Sequence, residues 1–332
     1  MKKFLALLLS LVMVLSLFAG CGGGGETAGD EGGLTLALVV AGNFGDRSFY
    51  DSSNAGATRL EAEGVTVKRI ECGNEKHTEQ IYNAADVADV VVLVGWEFYD
   101  VEVVATEYPD TKFIWIDNAT SAPVANVLNI TYAQNEGSFL AGYVAAKMSE
   151  SGIIGAVGGE DSATINDFIV GYKQGALYAN PEISVEVQYA NTYDDPAVGK
   201  ECALTLNEKG ADVIFQIASK AGDGVFEAAQ EAGFYAIGVD SDQKYIADDV
   251  IVCSMCKQVG DSIYDAVMQY AVEGENCTLW GTTWIADMET GYVGLAYGEE
   301  GATQQVSDEI KAEVEDLKAK IIAGEIVVDT TR

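Results

Sequence analysis

A chain of 332 residues with 52 Asp and Glu against 19 Lys and Arg carries a formal net charge of −33. Such a surface repels nucleic acid and anionic lipid headgroups, which argues against both as partners. A single histidine, His77, excludes histidine-based triads and multi-histidine metal sites. Four prolines among frequent aromatics argue against disorder, and the length suffices for one large or two medium domains.

Lys2 and Lys3 precede an apolar run from Phe4 to Phe18 whose only polar members are Ser10 and Ser16. A charged start and about 15 apolar residues make a secretory signal and are short for a spanning helix. The run closes on Leu17-Phe18-Ala19-Gly20-Cys21, which resembles the bacterial lipobox. That resemblance implies a signal peptide over 1–20 and a lipid-bearing Cys21 at the start of the mature chain. Cleavage takes Lys2 and Lys3 with it, so the mature protein is more acidic still. A single acyl chain holds a protein only marginally, so firm anchoring implies more than one. Residues 21–33, rich in glycine, read as a flexible tether. No later apolar stretch is long enough to span, so the expected location is the outer face of a membrane.

From residue 34 short β-branched runs recur roughly every 20 to 30 residues. They are Leu34–Val40, Val65–Ile70, Val90–Val94, Phe113–Ile116, Ile153–Val157, Val185–Tyr189, Val213–Ile217 and Ala236–Val239. Apolar on both faces, they read as buried parallel strands. Helical stretches lie between them: Ser52–Ala62, Thr78–Val87, Asn135–Met148, Asp167–Leu177, Pro196–Lys209 and Gly222–Ala232. Strict alternation predicts doubly wound α/β layers.

The two halves repeat each other. Ala88-Asp-Val-Val-Val-Leu-Val-Gly95 followed by Lys112-Phe-Ile-Trp-Ile-Asp117 returns as Ala211-Asp-Val-Ile-Phe-Gln-Ile-Ala218 followed by Tyr235-Ala-Ile-Gly-Val-Asp240. A duplicated half of roughly 110 residues predicts two similar lobes facing one cleft. Further on, Ser307 caps a helix with Ile310, Val314, Leu317 and Ile321 at the 3.6 period, ending at Gly324. Ile326–Val328 then reads as a last strand, while Trp280–Ile285 and Tyr292–Ala296 fit strands or hinge segments. The expected lobes are 34–130 with about 256–280, and 131–255 with about 283–332.

Five cysteines besides Cys21 are scattered and odd in number, unlike a disulfide framework. Cys253 and Cys256 have the CxxC spacing but end a β-like run instead of opening a helix. Buried thiols fit this better than redox or metal chemistry.

In open parallel sheets ligands bind beyond the carboxyl ends of the strands. Those ends carry Asp46, Phe49 and Tyr50 after the first strand, Trp96 and Glu97 after the third, and Asp117 after the fourth. In the second half they carry Ser219, Asp240 and, after the run Ile251–Met255, Lys257. Aromatics with lone carboxylates suit a ligand with a flat face and hydroxyl groups, since one carboxylate accepts two hydrogen bonds from a vicinal diol. Plain structural roles remain open: helix caps for Asp46, Asp117 and Asp240, core for Trp96, surface charge for Lys257. No phosphate loop, strand-to-helix GxGxxG turn or GxSxG elbow occurs, and no paired carboxylates with hydrolytic spacing stand out. No cofactor or metal is expected.

Asp46-Arg-Ser-Phe49, Tyr108-Pro-Asp-Thr-Lys-Phe113, Gly137-Ser-Phe-Leu-Ala-Gly-Tyr143, Gly171-Tyr-Lys-Gln-Gly175 and Ile237-Gly-Val-Asp-Ser-Asp-Gln243 stand in one order. Together they resemble the basic membrane protein family, lipoprotein substrate-binding components of ABC importers related to a purine nucleoside receptor. The resemblance runs from about Leu34 to the C-terminus. It implies a type I periplasmic-binding-protein fold, two lobes joined by crossing strands and closing on a nucleoside, with permease subunits as partners. By the same resemblance Asp46, Phe49, Asp117, Asp240 and Lys257 contribute to the site. Two positions depart from the pattern: Tyr50 stands where the family usually has a base-reading Asn, and Ser219-Lys220 where it favours Ala-Gly. The expected function is therefore a non-enzymatic binding protein for a nucleoside. A ligand-presenting sensor, a sugar-binding protein and, more distantly, a carbohydrate hydrolase are the alternatives.

Overall fold

The computed structural model describes residues 33–73 and 75–331; the leader and Cys21 lie outside them. The chain begins with β1 (Thr35–Val40), α1 (Phe49–Ala62), β2 (Thr66–Glu71), α2 (His77–Ala85), β3 (Val90–Val94), α3 (Val101–Glu107), β4 (Lys112–Ile116) and β5 (Val127–Tyr132). It continues with α4 (Gln134–Met148), β6 (Ile153–Gly158), α5 (Ala163–Ala179), β7 (Ser184–Tyr189), α6 (Pro196–Glu208), β8 (Val213–Ile217), α7 (Asp223–Ala232), β9 (Tyr235–Asp240) and β10 (Ile251–Lys257). It closes with α8 (Val259–Glu273), β11 (Thr282–Ala286), β12 (Val293–Ala296) and α9 (Asp308–Ile322).

Two six-stranded sheets result, ordered β11-β5-β4-β3-β1-β2 and β12-β10-β9-β8-β6-β7. Every pairing is parallel except that of β12 with β10. Central strands are apolar on both faces because helices cover both, and β3 and β8 are buried along their whole length. At the edges β2 and β7 hold only exposed and half-buried residues, and Lys68, Arg69 and Glu186 blunt them against further pairing. This is the doubly wound two-lobed α/β architecture expected from the alternation and the duplication.

The chain passes between the sheets after Tyr132, after Lys257 and after Ala286. Thr283 to Ala286, expected in the second lobe, pair with β5 in the first sheet. Ile326–Val328 forms no strand. Side chains of α4 and α5 take its backbone instead: Asn135 Nδ2 donates to Val328 O at 3.2 Å and Gln174 Nε2 to Val327 O at 2.9 Å. The expected cap at Ser307 forms, its Oγ accepting from Ile310 N at 3.3 Å. Helices α4 and α5 cross backbone to backbone, since a Cβ on Gly142 or Gly175 would lie 2.0 or 1.8 Å from a carbonyl oxygen of the other helix. That contact sets the inward face of α5 and, with it, one wall of the cleft.

Candidate functional site

The carboxyl ends of the two sheets face each other, and loops from both close a cavity of about 780 Å³ of empty space, part of it open to solvent. Phe49, Tyr50, Trp96, Asp117, Ser219, Asp240 and Lys257, all singled out by their strand-end positions, line it. Asp46 lies one layer behind. Its carboxylate accepts from the backbone N–H groups of Ser48, Tyr50 and Asp51 at 3.0–3.1 Å and so caps α1. Oδ2 also accepts from Ser219 Oγ at 2.9 Å, a bond from the first lobe to the second. Burial nonetheless raises the Asp46 carboxyl above its usual range, opposed by these same hydrogen bonds.

Asp117 and Asp240 end equivalent strands of the two halves in the same unusual conformation, with φ of 74° and 65°. Asp tolerates the left-handed region better than most residues, and strain of this kind clusters at binding sites. No helix starts at either residue, so neither is a cap. Lys257, one of the positions open to a surface reading, is only 2% exposed. Its Nζ donates to Asp117 Oδ2 at 2.7 Å and lies 4.8–5.5 Å from the rings of Tyr132, Phe49 and Phe168. Asp240 takes a hydrogen bond from Ser48 Oγ, a second bond between lobes. Burial pushes the Asp240 carboxyl up to about 6, against the pull of Lys257 and Ser48. Gln243 Nε2 adds a third such bond, donating to Arg47 O at 3.0 Å. The loop before α1 is therefore the piece of the first lobe that the second lobe grips.

Trp96 is 39% exposed at the mouth, its ring edge-on to Tyr99 at 5.8 Å, so it is no core residue. The sequence reading missed the wall supplied by Ile165 and Phe168 of α5, by Ile217 and Val239, and by Tyr193. Glu97, noted among the strand-end residues but not among those expected in the site, also lines the cavity. Cys253 and Cys256 are buried in β10, where desolvation raises both thiols, Cys253 to about 12. Neither can supply a thiolate at neutral pH.

Two α/β lobes that bring their strand ends together around a cavity of aromatic, aliphatic and charged side chains define a solute-binding protein of the periplasmic type. The chain belongs to the family of PnrA-like ABC transporter substrate-binding proteins, whose model matches residues 34–332. It is 31% identical to Basic membrane protein A of Borreliella burgdorferi over 337 residues, 98% of this chain and 96% of that protein. It is 33% identical to Basic membrane protein D of the same species over 250 residues, 72% of each chain. An ABC transporter system solute-binding protein from Aeropyrum pernix superposes with a TM-score of 0.79 at 27% identity, covering 89% of this chain and 94% of that one. The family resemblance read from the sequence is thereby established, and with it the role of an ABC transporter substrate-binding protein.

Proposed function

We propose that the cavity captures a nucleoside outside the cell and that the closed protein delivers it to an ABC permease. The observation that carries this reading is the paired arrangement of Asp117 and Asp240 around Lys257, framed by the rings of Phe49 and Phe168. Carboxylates held at buried strand ends suit the vicinal hydroxyls of a ribose, and flat aromatic walls suit a base. Both lobes contribute, so a ligand touching both favours the closed form by its differential contacts. The lobes expected at 34–130 with about 256–280 and at 131–255 with about 283–332, adjusted so that Cys256 and Lys257 go with the second sheet and Thr283–Ala286 with the first, would move as the two halves of that closure. A lipid on Cys21, followed by the tether to residue 33, would hold the protein at the outer membrane face. Among the described residues no helix is long and apolar enough to cross a membrane.

Thermal unfolding of the full chain in detergent micelles against nucleosides, free bases, sugars and amino acids tests the ligand. At 100 times its dissociation constant a ligand adds about 2.7 kcal/mol. Stabilisation by nucleosides, but by neither free bases nor ribose, supports the reading. A flat nucleoside response with a shift from another class overturns it. Metabolic labelling with a radioactive fatty acid, retained by the native chain and lost in Cys21→Ser, tests the anchor.

A further inference from the structure

Two sets of titratable groups stand apart among the residues lining the cavity, which also include Ser162, Thr164, Asp194 and Ser219. Lys257, Asp240 and Asp117 stand at the ends of β10, β9 and β4, on the side where the chain crosses between lobes. Glu97 stands after β3, with Tyr193, beyond the edge strand β7, and Tyr50 beside it. Its carboxyl folds back over Gly95, where a Cβ would lie 2.4 Å from Oε2. Gly95 holds φ at +134°, so glycine is needed there twice over. Glu97 lines the cavity, and its Oε2 is buried and hydrogen-bonds to none of the described residues. The charges that act on it, Glu160 and Asp117, are negative. A desolvated carboxyl whose donor is its own backbone N–H is costly to keep, and because Glu97 lines the cavity a bound ligand can supply further donors.

We infer that Glu97 reads the ligand's ring edge, accepting parallel hydrogen bonds from two adjacent N–H donors, so that a guanine-type edge is selected over hypoxanthine-type and adenine-type edges. The inference rests on the nucleoside reading above. A carboxylate matches an amide N–H beside an exocyclic amino group as it matches the fork of an arginine. Hypoxanthine offers one of those donors. Adenine turns a ring-nitrogen acceptor toward the carboxylate, a repulsive contact unless the carboxyl is protonated. A site built to hydrogen-bond a group rejects analogues lacking it more strongly than an apolar pocket rejects a methylene.

The proton balance gives the inference a second readout. Burial first, then Glu160 and Asp117, push the Glu97 carboxyl up to about 7. The groups facing it are Tyr50 from α1, Cys72 beyond β2, Asp117 after β4, Glu160 after β6 and Tyr193 after β7. Tyr50, Cys72 and Tyr193 are all raised and stay neutral near pH 7. Donor-edge ligands need the ionised carboxylate, so their affinity rises as pH climbs from 6 to 8. Adenosine prefers the protonated form and follows the opposite course. Asp240 also titrates in this region but serves the ribose end of every nucleoside, so affinity ratios between nucleosides cancel it.

The experiment is calorimetric titration of the full-length lipoprotein in detergent micelles with guanosine, inosine and adenosine at pH 6, 7 and 8, native and E97Q. In the native protein guanosine should bind at least about tenfold tighter than inosine at pH 8, the size of a charge-assisted hydrogen bond. The guanosine-to-adenosine ratio should grow with pH. E97Q should flatten both, and E97D, which keeps the charge on a shorter arm, should keep the pH trend with a smaller preference; E97D also carries the test if E97Q fails to fold. Equal guanosine and inosine affinities in the native protein, or a preference that survives in E97Q, overturn the inference and leave the nucleoside reading standing. Binding of none of the three overturns the nucleoside reading and this inference with it.

Discussion

On the crossing side of the cleft a buried cation answers the buried carboxylates: Lys257 Nζ lies 2.7 Å from Asp117, and Ser48 Oγ serves Asp240. On the outer side Glu97 has no such answer, and its charged neighbours have its own sign. The same residue class thus does two jobs. Paired carboxylates form a rigid platform whose geometry exists before the ligand arrives. An unanswered carboxyl makes the ligand the missing partner, which converts a folding cost into selectivity. This contrast predicts that changes on the crossing side damage stability and all binding, whereas changes at Glu97 alter which ligand is chosen.

The largest expected effect is therefore at Lys257. Lys257→Met keeps much of the side-chain volume but takes the buried cation away from the Asp117 carboxylate, and breaking one half of a buried pair costs roughly 3–5 kcal/mol. Calorimetry should show a melting temperature lower by several degrees. An unchanged melting temperature would dissolve the distinction between the two sides. Next comes Asp240→Ala, which removes a charged acceptor and leaves Ser48 Oγ without its partner across the lobes. Loss of a hydrogen bond to a charged group is worth roughly 1.5–3 kcal/mol, or about 10- to 100-fold in affinity for every nucleoside alike. Undiminished affinity would remove Asp240 from the site.

A smaller effect comes from pH. Asp240 and Glu97 are both raised in the folded protein, to about 6 and about 7 from ordinary carboxyl values. The folded state therefore holds their protons more tightly than the unfolded chain does. Their stabilising contribution is complete below the unfolded values and is lost as pH rises through 6 and then 7, at up to about 1.4 kcal/mol per pH unit for each group. Ligand-free protein should melt at a lower temperature at pH 8 than at pH 5. D240N should flatten the lower part of that curve and E97Q the upper part. Parallel curves for native protein and both variants would count against the burial costs assigned to these two groups.

Much of this cleft was legible in the sequence because strand ends are one-dimensional information. A β-branched run followed by Asp or by Trp-Glu announces both the strand and what it carries to the sheet's edge, and the duplication paired Asp117 with Asp240. Phe168 was not legible in that way. It lies inside α5, and which face of that helix lines the cavity is decided by the crossing of α4 and α5 at Gly142 and Gly175. Asp46 was placed in the right loop but one layer too far forward, since sequence cannot tell a carboxylate that caps α1 from one that lines the cavity. Ile326–Val328 has strand composition but no neighbouring strand to pair with, and Asn135 and Gln174 claim its backbone. Glu97 was visible as a strand-end residue. Its meaning depends on the burial of Oε2 and on the negative sign of Glu160 and Asp117, which only three dimensions reveal.

The smallest expected effect lies between the two sides, at Ser219. This residue holds φ at 50° and donates from Oγ to Asp46 at 2.9 Å, joining the second lobe to the loop that caps α1. Ser219→Ala keeps the unfavourable backbone conformation and deletes the bond, while Asp46 retains its three backbone donors. A loss of about 1 kcal/mol in closure, roughly fivefold in affinity, should appear mainly as faster ligand release. Ser219→Gly deletes the same bond but relieves the left-handed backbone, so its affinity should fall between native and Ser219→Ala. Stopped-flow release rates in the order native, Ser219→Gly, Ser219→Ala, slowest to fastest, would tie this contact to closure. Equal rates would mean that the grip on the loop rests on Ser48 and Gln243, and that the crossing side alone holds the lobes together.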